Sequence, residues 1–383
     1  MKKKIMEFIL LFYFLFNLSL SAQESDKPIA IRGEKTAAVW IWGKALSSEP
    51  IDSVIHNLKY NFVDEVYLLV KGGAGKTADS SLLSEFIRLA HSSNIKVHFW
   101  YIVGNDSVFL SLHPEAHIYH CPKPSSGFTS PYPDGGSSIN LLYPGYKDYV
   151  LNKIAYFLNN FNCDGIHLDV IRFPNLTFSF DKYSLEKAQS LGINTKRILN
   201  FFNEDYDLYA PKGGVTEGGL VKLYKDGDSD VVGWVNMRKS IVYDYIKSIK
   251  DLIQKVKPGV SLTAAFMPEA TLDPFTADVY YAQSYSLNSP LLDAIMPMAY
   301  FDAFGKLTSW LKDVTEGAIK QVDPKCKIIT GIQTYDEVTP QEVKEQIDYS
   351  LQGGASGIII FRYGTTTPDE WKVIREIFND RRR

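Results

Sequence analysis

Residues 163–174, CDGIHLDVIRFP, put an acid, Asp169, where a short apolar run ends, with Arg172 three residues on and a stop at Pro174. In a parallel α/β barrel the carboxyl ends of the strands form the reactive face, so a charge placed there points to chemistry more than to packing. A nearby guanidinium favours the ionised carboxylate. That is the state required of a nucleophile, or of a group that stabilises a sugar cation. An ordinary ion pair at a strand end is the alternative that the motif alone leaves open.

Glycoside hydrolysis uses two carboxyl groups across the scissile bond, one ionised and one protonated. Glu269, just past Pro268 at the end of the next apolar run, is the expected acid, and Asp302 is the reserve. Other apolar runs end in Trp40 and Trp42, Lys71, Trp100 and Tyr101, Tyr300, Gln333 and Arg362. His167 shares a strand face with Asp169 by the period-two rule. Rings with scattered amides and cations suit carbohydrate, whose apolar faces stack while its hydroxyls take polar partners. These ten residues (Trp40, Trp42, Lys71, Trp100, Tyr101, His167, Arg172, Tyr300, Gln333, Arg362) are therefore expected to bind substrate.

The elements that must carry them are legible. Eight runs have the composition of buried parallel strands: Ala37–Trp42, Glu65–Val70, Ile95–Ile102, Asp164–Asp169, Val260–Met267, Asp293–Tyr300, Lys327–Gln333 and Gly357–Tyr363. Helical stripes lie between them, such as Tyr146, Val150, Ile154, Phe157 and Phe161, or Val242, Tyr245, Ile246, Ile249 and Ile253. Thr339-Pro340-Gln341-Glu342 and Thr367-Pro368-Asp369-Glu370 both read as capping boxes with proline at the first helical position. Eight strand–helix units predict a (β/α)8 barrel of the α/β class. Two long connections, 104–142 and 175–232, follow strands 3 and 4 and are expected to wall a cleft, the second with a helix near Leu185–Leu191.

Two motifs point elsewhere. KGGAGKT at 71–77 resembles a phosphate loop, but Val70 stands where the pattern needs glycine, so a tight turn is expected. His113, His117, His120 and Cys121 have spacing that could suit zinc, yet they share one proline-containing loop and no second ligand cluster follows. No cofactor and no metal are expected.

The chain has 383 residues, 45% hydrophobic and 13% aromatic, with a net charge of -3. It is long enough for a large core, and it offers no general positive field for nucleic acid. Lys2, Lys3 and Lys4 precede the apolar run Phe8–Phe16 and small residues up to Ala22. This reads as a signal peptide, 1–22, too short to span a bilayer. A single domain, 23–383, is then expected to be secreted or periplasmic, without a stable membrane anchor. Cys121, Cys163 and Cys326 are expected to be buried thiols.

Residues 139–174, INLLYPGYKDYVLNKIAYFLNNFNCDGIHLDVIRFP, resemble the glycosyl hydrolase-like 10 family, with its DGI-x-x-D-x-x-R-x-P pattern. The likeness extends to Trp234 and Arg238, to DAIMPMAYF at 293–301, to GGASGIIIFRYG at 353–364 and to His113-Pro114-Glu115. It implies a TIM barrel acting on bacterial cell-wall or other complex glycans, some relatives being linked to peptidoglycan strands stripped of their peptides. Asp169 and Arg172 are its matched positions, while Glu269 rests on strand geometry. The leading expectation is an exported glycoside hydrolase with a poly- or oligosaccharide partner. The alternative is a non-catalytic carbohydrate-binding barrel.

Overall fold

The structure is a computed structural model that describes residues 35–210 and 219–380. The expected signal segment lies outside the described residues. Eight parallel strands close into one barrel in sequence order. They are β1 Thr36–Ile41, β2 Glu65–Lys71, β3 Lys96–Ile102, β4 Gly165–Asp169, β5 Ser261–Phe266, β6 Ala294–Pro297, β7 Lys327–Gln333 and β8 Gly357–Phe361. One principal helix follows each strand: α1 Ile51–Tyr60, α2 Ser80–Ser92, α3 Tyr146–Asn160, α4 Ser229–Val256, α5 Pro274–Tyr281, α6 Trp310–Gln321, α7 Pro340–Gln352 and α8 Pro368–Asp380. The predicted (β/α)8 barrel is the observed one.

The local causes are simple. Strands such as TAAVWI, KVHFWYI and GIIIF are β-branched or aromatic and buried almost throughout, because helices cover one face and the barrel interior fills the other. Both capping boxes form. Thr339 Oγ1 accepts from the Glu342 amide at 3.3 Å while Glu342 returns a bond to the Thr339 amide at 2.8 Å, and Thr367 and Glu370 repeat the exchange. The predicted stripes of α3 and α4 are buried. The three cysteines are buried and unpaired.

One strand differs from expectation. β6 stops at Pro297 rather than Tyr300, because the amides of Ala299 and Tyr300 turn back onto the carbonyls of Pro297 and Met298. Tyr300 and Asp302 therefore sit on a coil above the barrel. The connection after β3 carries a short helix, Ser107–Leu112, and a two-stranded ribbon, Tyr119–His120 with Tyr132–Pro133. The connection after β4 holds more helix than expected: Lys182–Ser190 begins earlier than predicted, and Thr195–Glu204, Tyr206–Tyr209 and Gly219–Lys225 follow.

The KGGAGKT segment is a turn, closed by the Gly75 amide on the Gly72 carbonyl at 2.9 Å. Gly75 has φ +80, and a Cβ there would lie 2.0 Å from Asp106 Oδ1. The histidines of the third connection face separate partners. His113 meets Tyr143 at 3.4 Å, and His120 approaches Asp134 at 3.6 Å while packing on Tyr132 and Phe178.

Candidate active site

The barrel interior is packed nearly to its carboxyl end. Trp40, Tyr67, Trp100, Met296, Ile329 and Ile359 form one buried cluster. Trp40 Nε1 donates to His167 Nε2 at 3.2 Å, and His167 Nδ1 meets Thr263 Oγ1 at 2.9 Å. The indole N–H fixes Nε2 as an acceptor, so Nδ1 carries the proton. Burial also pushes the His167 pKa well below its ordinary value. His167 and Trp40 are therefore a neutral, fully enclosed floor and do not reach substrate, which corrects the sequence expectation for both.

Asp169 ends β4 above that floor and is half-buried. Trp100 Nε1 donates to its Oδ2 at 3.0 Å, and the Val170 amide donates to Oδ1 at 2.7 Å. Val170 itself has φ +50, so the chain bends sharply just past the carboxylate. A β-branched residue in that region is strained by about 1–3 kcal/mol. Gly104, on the neighbouring strand's exit, makes room for the bend, since a Cβ there would fall 2.5 Å from the Val170 carbonyl oxygen. Burial raises the Asp169 pKa, and the Arg172 charge, the Val170 amide and the Trp100 N–H only partly oppose it. This corrects the expectation that the arginine dominates.

Glu269 lies in the 3-10 turn Pro268–Thr271 that follows β5. Tyr281 Oη donates to Glu269 Oε1 at 3.0 Å, while Oε2 is buried with no partner. Burial raises this carboxyl's pKa too, against its own backbone amide, Tyr281 and Arg172. Arg172 lies 5.7 Å from the Tyr281 ring centre, and its Nε is buried without an acceptor. Its charge acts on Asp169, Glu269 and Tyr281 alike, so these four groups share one locality. Tyr300 completes it, its hydroxyl held un-ionised by burial and by the Asp169 charge.

An aromatic shelf continues from there. The Phe361 ring lies 6.4 Å from Trp100, 5.2 Å from Tyr300, 5.7 Å from Tyr335 and 6.5 Å from Trp42. Trp42 is 38% exposed, and the Arg362 guanidinium lies 3.7 Å over its ring. Asp302 is exposed on the turn beyond β6, where its charge acts on Tyr335.

Three further expectations are corrected. Lys71 is fully buried, 3.1 Å from Asp106 and bonded to the carbonyls of Ile102 and Asn105. A β-bulge causes this: Leu69 pairs with Trp100 but Lys71 with Tyr101, so Lys71 turns to the helix side. Tyr101 is buried on that same outer side, 5.2 Å from the Lys71 ammonium. Gln333 is buried as a brace, accepting from the Ala303 amide and donating to the Tyr335 carbonyl, both at 3.3 Å.

Sequence reasoning missed Tyr281, Phe361 and Tyr335. Tyr280, Tyr281 and Tyr285, close together in the β5–β6 connection, were the available signal for the first. Arg238, noted only through family likeness, is a buried clamp from α4. It donates to the carbonyls of Val279, Asn175 and Tyr280 and so joins the β4 and β5 exits.

A cavity of about 610 Å³ opens at the opposite, amino-terminal end of the barrel, lined by Glu65, Lys96, His98, Ser261 and Lys327 among others. It lies away from the two carboxyls and is not their substrate cleft. Among the described residues no group of three or more metal-ligating side chains is gathered.

The family model described as glycosyl hydrolase-like 10 matches residues 66–350. An S-layer-related protein of Niallia circulans is 24% identical over 199 residues, which is 48% of this chain and 11% of that relative. The chain thus spans about a tenth of the length of the curated relative it matches. The glycoside hydrolase domain of PgaB (BpsB) from Bordetella bronchiseptica has a TM-score of 0.66 at 12% identity, over 91% of this chain and 98% of that one. The catalytic domain of a beta-amylase from Paenibacillus polymyxa gives 0.62 at 12% identity, over 92% and 99%. Identities this low establish a shared fold.

Proposed function

The chain belongs to the glycosyl hydrolase-like 10 family, and from that premise we propose that it is an exported hydrolase of O-glycosidic bonds in a complex glycan. Asp169 is the ionised partner and Glu269 the acid. The observation that carries this reading is the shared Arg172: two half-buried carboxyls on adjacent strand exits feel one guanidinium. They differ in their bonds. Asp169 receives two N–H donors, which favour its charged form, whereas Glu269 keeps one buried oxygen free of any donor. That free oxygen is a place for the proton to be delivered to a leaving group. Trp42, Tyr300 and Phe361 supply faces for sugar rings.

Asp302 is exposed on the turn beyond β6, so the half-buried Glu269 is preferred to it as the acid. The likeness of the barrel to glycoside hydrolase domains is consistent with this chemistry, and the lysine-led apolar N-terminus supports export.

The test is release of reducing ends from a glycan panel, peptidoglycan with and without stem peptides included. Asp169→Asn is expected to lower kcat by about 10³-fold while the fold persists by circular dichroism. Glu269→Gln should hurt natural leaving groups far more than aryl leaving groups, which need little protonation. Full activity in Asp169→Asn rejects the assignment. Binding without cleavage by the wild type would instead make the barrel a carbohydrate-binding module.

A further inference from the structure

We propose that Arg362, laid on Trp42, is a carboxylate-recognition element, so that the glycan this cleft takes is an acidic polysaccharide. The inference rests on the glycan reading above but concerns a different contact. A guanidinium has five N–H donors in a planar fork. Among the described residues Arg362 spends none of them in a side-chain hydrogen bond or ion pair, and its guanidinium lies 3.7 Å over the Trp42 face. Arg172 and Arg375 likewise lie over rings, those of Tyr281 and Tyr60, but two other arginines are spent differently, on side-chain bonds. Arg197 pairs with Asp228 and Asp230, and Arg238 is spent on three carbonyls.

Stacking occupies the face of a guanidinium and leaves its edge free, and it fixes the plane in which that edge points. Glu370, eight residues on, is engaged in the Thr367 capping box, and Glu49 accepts the Tyr363 hydroxyl at 3.1 Å. Arg362 follows Phe361, whose ring touches both Trp42 and Trp100, and Trp100 holds Asp169. The free fork therefore lies along the same aromatic shelf that leads to the reacting carboxyls. A half-buried cation without a counter-charge is costly, and a carboxylate matches its geometry with two parallel bonds. A sugar hydroxyl offers one neutral acceptor, about half as strong. The acidic ligand is the better fit.

The experiment uses Asp169→Asn protein, so that binding is read without cleavage. Affinity electrophoresis is run on polygalacturonate, hyaluronan and peptide-free peptidoglycan strands, each beside the same polymer with its carboxyls reduced to alcohols. At least one native polymer is expected to bind about 10-fold or more tighter than its reduced form. Adding Arg362→Gln should bring that ratio close to one, and Arg362→Lys should restore part of it, a point charge replacing a fork. Equal binding of native and reduced polymers, a ratio unchanged in Arg362→Gln, or no binding of any acidic polymer overturns the proposal. A collapsed ratio with no reducing ends from wild-type protein keeps the carboxylate site and rejects hydrolysis. Cleavage with a ratio of one does the reverse.

Discussion

Asp169 is defined by what surrounds it more than by its own position. Its pKa reflects a contest in which burial is the largest effect, with Arg172, the Val170 amide and Trp100 pulling the other way. Trp100 is therefore a positioning residue whose N–H stabilises the ionised carboxylate. Trp100→Phe keeps the ring and removes one donor to a charge, a loss of about 1.5–3 kcal/mol for such a bond. With that donor gone the Asp169 pKa rises further, so the acid limb of the kcat/KM profile should move to higher pH. Activity near neutrality should fall by about 10-fold or more. An unshifted acid limb would mean that the indole N–H does not act on the carboxylate. The sequence located Asp169 and Arg172 because a carboxylate at an apolar run's end is a local pattern. It could not show the contest, which depends on Trp100 and Val170 geometry brought in from two strand exits.

The same division holds among the elements. All eight strands and both capping boxes were readable, since hydrophobic runs and cap spacing are local signals. Lys71 follows the end of an apolar run, but a bulge between Leu69 and Lys71 turns it to the helix side, and a bulge leaves no local signal in the run itself. Tyr300 was displaced for a related reason, the early end of β6 at Pro297. The bulge has a structural use. It sends the Lys71 ammonium to Asp106, which also caps the helix Ser107–Leu112 and accepts the Tyr149 hydroxyl. One buried pair thus ties β2, the β3 exit and α3 together. Lys71→Met leaves Asp106 buried beside no cation, so it should destabilise by about 3–5 kcal/mol in urea unfolding. Lys71→Met with Asp106→Asn should cost less than the two single losses added together, because the uncompensated charge is gone. Strict additivity would show that the two side chains do not interact.

At the scale of the whole molecule the two ends of the barrel respond to acid in opposite ways. At the carboxyl end Asp169 and Glu269 have raised pKa values, so the folded state binds their protons more tightly than the unfolded chain does. Their contribution to stability is greatest at low pH and is lost as pH rises through the raised values. At the amino end Glu65 is the reverse case. Burial works against its charge, but His98, Lys96 and the Tyr67 hydroxyl outweigh it and bring the pKa from 4.5 to about 2. His98 Nε2 is 3.3 Å and Lys96 Nζ 3.5 Å from this carboxylate, and Tyr67 Oη donates at 3.0 Å. Stability from Glu65 is therefore complete above its unfolded value and is lost as pH falls from about 4.5 toward 2. The difference amounts to at most about 3 kcal/mol at 1.36 kcal/mol per pH unit. Glu65→Gln should be less stable than wild type by up to that amount at pH 7, measured by urea unfolding. The gap should close steadily between pH 4.5 and 2, because the protonated wild-type carboxyl and the amide then make similar neutral contacts. A gap that stays constant across that range would place the loss in packing around the barrel's amino end instead of in the charge. The two ends can be separated experimentally, since Asp169→Asn leaves the Glu65 contacts untouched but removes one opposing contribution, so stability should rise more steeply with pH above about 4.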